Sequence, residues 1–212
     1  MPKRIGRYGT TDLCPIEGDI PVLQFINTHK NRGTAQAKNY LKNYDDFITW
    51  CYEVQLVDQD DYNILEAESY CFVQMATGIV NQMILAREML HELIYCIMRD
   101  EPVHPITLSD FNSFNEAANK HLSFEMTAYG LREVWINIEE EMAYPLWKLI
   151  KDAATFLTSA DLRFIKRCHC GNLYLDKTKN KIRRYCNPLT CGSALRSKQY
   201  YLRGTRPIVK SE

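Results

Sequence analysis

No run of apolar residues in this chain approaches the roughly 20 that a helix needs to cross a bilayer. The opening "MPKRIGRYGTTDLC" also lacks the charged-then-apolar pattern of a secretory leader. A soluble, cytoplasmic protein is therefore expected, with no membrane partner. In that compartment thiols stay reduced, so the eight cysteines are not a disulfide framework: clustered ones point to metal and isolated ones to packing. Catalytic signatures are missing too. There is no Gly-rich phosphate loop and no nucleophile elbow, and "HELIY" at His91 places Tyr95 where a zincin needs its second histidine. These absences argue against an enzyme. Internal repeats and low-complexity segments are likewise absent.

Net charge is absent as well, but only as a total. Residues 1–160 hold 13 Lys/Arg and 23 Asp/Glu, a formal −10, whereas residues 161–212 hold 13 Lys/Arg and 3 Asp/Glu, a formal +10. An acidic body with a basic module of some fifty residues is the asymmetry expected when one part meets a polyanion. Mutual docking of the two halves is the blander alternative.

What is present along the body reads as helix. The first twenty or so residues show no period; "VLQFINT" looks like a buried segment, and regular structure is expected after "KNRG". Phe47, Ile48, Cys51 and Val54 recur at helical spacing behind Asp45 and Asp46, which suit the first turn of a helix better than a catalytic pair. A long helical region covers 60–99, with Gly78 a candidate break into two helices. Pro102 and Pro105 force a turn, and Thr107 with Asp110 gives a capping signal for the next helix. "LSFEMTAYGLREVWI" alternates as a small β-hairpin does, and Leu146, Leu149, Ile150, Ala153 and Leu157 step as a further helix. Ser159 is a candidate N-cap for a short helix leading into the cysteine cluster. The fold class expected is α+β: a mainly helical domain over 1–160 with a small hairpin, then a treble-clef-like module over 161–212, a β-hairpin followed by a helix.

Cys168 and Cys170 flank one residue, and Cys186 and Cys191 form a second close pair fifteen residues on. Two close pairs joined by a hairpin suit one tetrahedral, structural Zn2+ with no open position for substrate. A module this small folds only with such a staple. C-x-C is a tight knuckle, so either Cys168 or His169 completes the site; Cys168 is preferred, with His169 expected to point away. Leu173 and Leu175, then Ile182 and Tyr185, are expected to form the two strands around "DKTKNK". A helix should start with Asn187 as N-cap and Pro188 as first residue. Cys14, Cys51, Cys71 and Cys96 are expected to be core thiols.

"CHCGNLYLDKTKNKIRRYCNPLTCGSALRSKQYYLR" resembles the CGNR-type zinc finger of bacterial proteins: a cysteine pair, a "GxLFLD" strand, an "RR-x-C" segment and a final "CGNR" in that order. Upstream, "VLQFINTHKNRG" and "YDDFITWCYEVQLVD" resemble the ABATE domain that usually accompanies that finger. Together the resemblance spans most of residues 20–203. It implies a stress-related transcription regulator whose finger binds nucleic acid, with ligands on Cys168, Cys170, Cys186 and Cys191 and a basic pair on Arg183 and Arg184. Two departures stand out: the first knuckle is short, and Ser193-Ala194 replaces the namesake Asn-Arg.

Arg196, Tyr200 and Arg203 share one face of the expected last helix, and Lys177, Lys179, Lys181, Arg183 and Arg184 extend it as phosphate-contacting cations. The expected partner is nucleic acid, double-stranded DNA first, with a small-molecule or protein effector for the helical domain and a homodimer to match operator symmetry. A basic face that meets only solvent remains open. The contrasting hypothesis is a non-enzymatic adaptor whose finger docks protein.

Overall fold

A computed structural model describes residues 20–138, 141–193 and 197. Among the described residues, six α-helices and three two-stranded antiparallel ribbons make an α+β fold: α1 (Pro21–Ile26), β1 (His29–Lys30), β2 (Lys38–Asn39), α2 (Tyr44–Glu53), α3 (Gln59–Cys71), α4 (Val73–Arg99), α5 (Pro105–Asn119), β3 (Leu122–Thr127), β4 (Gly130–Trp135), α6 (Tyr144–Leu157), β5 (Ile165–Arg167) and β6 (Leu173–Leu175). No helix among the described residues is long and apolar enough to cross a membrane.

Regular structure begins earlier than the sequence suggested. Pro21 opens α1, where its missing N–H costs nothing, and Val22, Leu23, Phe25 and Ile26 are all buried. The α2 start is as expected: the Asn43 side chain accepts from the Asp46 N–H at 2.8 Å, and Asp46 returns an acceptor to the Lys42 N–H at 3.0 Å. Asp45 and Asp46 thus serve a helix end.

α4 is the axis of the molecule, packing against α1, α2, α3, α5 and α6. Its 27 residues turn Ala76, Ile79, Met83, Ala86, Leu90 and Leu93 inward in steps of three and four. The break before it lies at Phe72 (φ −124°, ψ 58°), not at Gly78. Gly78 is exposed inside a continuous helix, where the lost propensity of about 1 kcal/mol is outweighed by a long buried stripe. The α5 cap also differs from expectation. His104 supplies it, its Nδ1 accepting from the Ile106 N–H at 3.2 Å. Thr107 is instead buried and donates to Glu92 of α4 at 2.8 Å.

The β3–β4 hairpin forms as read, with Leu122 opposite Trp135 and Thr127 opposite Gly130. Gly130 takes a φ of +121° that few other residues would accept, closing the turn. The hairpin is fastened to α6 by the Trp135–Tyr144 edge contact and by Lys151–Glu133 at 3.0 Å. Of the four isolated cysteines, Cys51 is buried, Cys96 half-buried and Cys71 exposed, so Cys71 is not the core thiol expected; Cys14 lies outside the described residues.

Candidate metal centre and basic surface

Ser159 does cap a helical turn, its hydroxyl accepting from Asp161 N–H, but the turn is a 3-10 one over Ala160–Phe164 and passes into strand β5 rather than a helix. β5 pairs with β6, Ile165 opposite Leu175 and Arg167 opposite Leu173. The expected pairing of Leu173–Leu175 with Ile182–Tyr185 is therefore replaced: the hairpin partner lies before the first cysteine, and the Cys168–Gly171 knuckle is its turn. Cys168 N–H donates to Asn172 O at 2.8 Å and Gly171 N–H to Cys168 O at 2.9 Å. Gly171 has φ +91°, the conformation that lets a one-residue cysteine spacing bend back on itself.

The two faces of this hairpin do different things. Ile165, Leu173 and Leu175 join the core of the helical body, whereas Tyr174 packs with Cys168 and Cys186. Asn27 clamps the joint, its amide donating to Leu173 O at 2.7 Å and its carbonyl accepting from Leu173 N–H at 2.9 Å. Sequence reasoning passed over Asn27; the signal available was one amide inside the apolar run "VLQFINT", where a buried polar group needs a defined partner.

The second cysteine pair sits where expected. Asn187 Oδ1 accepts from Leu189 N–H at 2.9 Å, and a π-type turn over Pro188–Gly192 is closed by Gly192 N–H on Asn187 O at 3.0 Å. The helix expected to start at Pro188 thus opens as this π-type turn, and its Arg196, Tyr200 and Arg203 lie outside the described residues.

The sulfurs of Cys168, Cys170, Cys186 and Cys191 all lie within 4.8 Å of one another. Cys168 and Cys191 are 3.4 Å apart, Cys170 and Cys186 3.6 Å. Tetrahedral Zn–S bonds of about 2.3 Å place sulfurs about 3.8 Å apart, so the donor set fits one zinc ion. Zinc would act there as a four-way cross-link joining the knuckle to the Pro188 turn. The four cysteines can hold the ion without His169. Four sulfurs already complete the set, and the His169 ring does not point away but flanks it, with Nδ1 3.7 Å from Cys168 Sγ and 3.6 Å from Cys191 Sγ.

Crowding divides the thiols. A hydrogen bond from Cys186 holds Cys170 down to about 5, while burial and the neighbouring Cys168 push Cys191 up to about 12. Cys186 is raised by that same bond with Cys170 and by burial. Like charges this close cannot all ionise, which is the repulsion a dication relieves.

The basic stretch between the pairs wraps around a buried acid. Asp176 is fully inaccessible and accepts from Lys166 Nζ (2.7 Å), Thr178 N–H (3.0 Å), Thr178 hydroxyl (2.6 Å) and Arg183 N–H (3.0 Å). Burial opposes its ionisation, but these donors outweigh it and hold the carboxyl far below the usual carboxylate range. Two cations expected at the surface are spent on this wrap. Lys181 donates to Asp176 O at 2.9 Å and lies 4.0 Å over the Phe164 ring. Arg183 donates to Tyr185 O at 2.8 Å and to Cys186 O, and stacks over Tyr174. Lys177, Lys179 and Arg184 are exposed. So is Arg167, which the sequence reading did not single out.

A family model described as a putative stress-induced transcription regulator, ABATE, matches residues 19–160, about two thirds of the chain. The chain belongs to the ABATE family. A CGNR zinc finger model matches residues 165–204, covering all four cysteines and the basic stretch. Curated proteins give no match. The ABATE match ends within the Ser159–Phe164 turn, and the finger match opens at Ile165, where β5 begins.

Proposed function

We propose that this ABATE protein is a non-enzymatic transcription regulator that contacts double-stranded DNA through its zinc-stabilised C-terminal module, residues 161–212, while residues 1–160 answer to an effector. The observation that carries the reading is the coincidence, within one finger, of a closed four-sulfur metal set with exposed cations on either side of it. A metal site with no open position builds shape rather than chemistry, and the shape built here presents positive charge. Phosphate contacts would position the module, and pairing of two copies would match operator symmetry.

Selection from a random duplex library by the full-length, zinc-loaded protein tests this. Enrichment of a sequence whose affinity falls steeply with salt is expected; recovery of no sequence and no salt-dependent retention would sink it.

A second reading, an adaptor, is favoured by the β3–β4 hairpin. Phe124, Met126 and Leu131 share one face of that ribbon and stay largely exposed. Salt-indifferent, weak contact with DNA would favour it.

A further inference from the structure

We infer that the DNA contact is made by an open cleft between the finger and the C-terminal end of α4, with Arg167 and Arg184 as its phosphate ligands and Ile182 as its apolar contact. The inference rests on the DNA-binding reading above and narrows it to particular residues.

The cleft has a volume of about 620 Å³ and is walled by Met98 of α4, Ile165 and Arg167 of β5, and the Ile182–Arg184 segment. Its lining includes four cations and no carboxylate. Two of those cations are committed elsewhere: Lys166 to Asp176, and Arg183 to carbonyl oxygens. Arg167 and Arg184 are the exposed pair. Arg167 rests 5.9 Å over the Tyr95 ring of α4, which holds its guanidinium at the cleft rather than leaving it to sweep through solvent.

Ile182 is the second independent observation. It is 70 % exposed beside these cations. Lys181 immediately before it has a left-handed φ of 52° and is pinned inward to Asp176 O, so the chain turns Ile182 outward at the cleft. An apolar side chain held between arginines matches the alternation of a nucleic-acid backbone: anionic phosphates, then the apolar face of sugar and base. A neutral partner offers the two arginines no counter-charge.

Arg167 immediately precedes Cys168, and Arg184 lies two residues before Cys186. Zinc would therefore fix both walls of the cleft at once. The exposed turn lysines, Lys177 and Lys179, lie outside the lining.

The test uses full-length, zinc-loaded protein and a fluorescein-labelled random duplex in a salt series, with single-stranded DNA of the same length as a second probe. Arg167→Ala and Arg184→Ala are each expected to weaken binding severalfold or more and to reduce the salt slope by about one. Ile182→Ser should weaken binding at every salt concentration without changing the slope. Lys177→Ala/Lys179→Ala should stay closer to wild type than either arginine variant. All five positions are exposed, so zinc content and melting temperature should match the wild type, and lost binding then reports a lost contact. Wild-type binding that survives both arginine variants, or that is lost only in the lysine variant, overturns the cleft and leaves DNA binding standing. Absence of binding by the wild type to either probe overturns the parent reading and this one with it.

Discussion

Asn27→Ala should loosen the joint between the finger and the helical body by removing two hydrogen bonds. The wild-type amide is 2 % exposed and Leu173 1 %, and they exchange two hydrogen bonds of 2.7 and 2.9 Å. Alanine leaves the buried Leu173 N–H and C=O without these partners, and each orphaned group costs about 1–3 kcal/mol. A loss of about 3 kcal/mol or more is expected, against a total stability on the order of 5–15 kcal/mol. For a chain of this size that lowers Tm by roughly 6–12 °C. Urea denaturation at pH 7 with zinc bound measures it, and Asn27→Asp is the control. Aspartate keeps the acceptor for Leu173 N–H but offers no donor to Leu173 O, so it should not rescue. A loss below about 1 kcal/mol for alanine, or near-complete rescue by aspartate, would refute the idea that this clamp joins the two parts.

Two further outcomes follow from the same geometry. Cys186→Ser should reduce bound zinc from one ion per chain to none or nearly none, read by metal analysis of the purified protein, whereas Cys71→Ser, exposed on α3, should leave it at one. His91 supplies the pH dependence: burial, aided by the neighbouring Arg32, lowers its pKa to about 4 from an ordinary 6.5. The unfolded chain therefore takes up the proton first, so the stability linked to His91 is fully present above about pH 6.5 and is lost as pH falls toward about 4. His91→Gln should flatten melting temperature against pH within that window; an unchanged slope would exclude His91 as its source.

Legibility in the sequence followed the kind of information each element carries. Periodic burial announced α2, α6 and the long stripe of α4, because Phe47, Met83, Leu90 and Leu149 repeat at the spacing a helix imposes. Position of a break is a subtler quantity: Gly78 lowers helix propensity, yet the packed stripe carries the helix through it, and the chain yields at Phe72 instead. Cys170, Cys186 and Cys191 were legible as ligands from spacing, whereas the tight C-x-C knuckle left Cys168 and His169 both open until the four sulfurs were seen together. The hairpin that carries them was assigned the wrong partner strand. Ile182–Tyr185 alternates acceptably, but the pairing is decided by Asn27 and the core face of Ile165, both contacts across long sequence separation. The same holds for the cations. A run of Lys and Arg reads as a solvated surface until Asp176, the lone acid among them, is found buried and drawing Lys166 and the Arg183 backbone around itself.

The most direct test of the central claim is fluorescence anisotropy of the full-length protein on duplex DNA at low salt, followed through chelation and then restoration of zinc. Binding that weakens steeply with salt, disappears on chelation and returns with zinc is the predicted result. Salt-dependent binding that persists unchanged without metal, or no binding by the zinc-loaded protein, would contradict it.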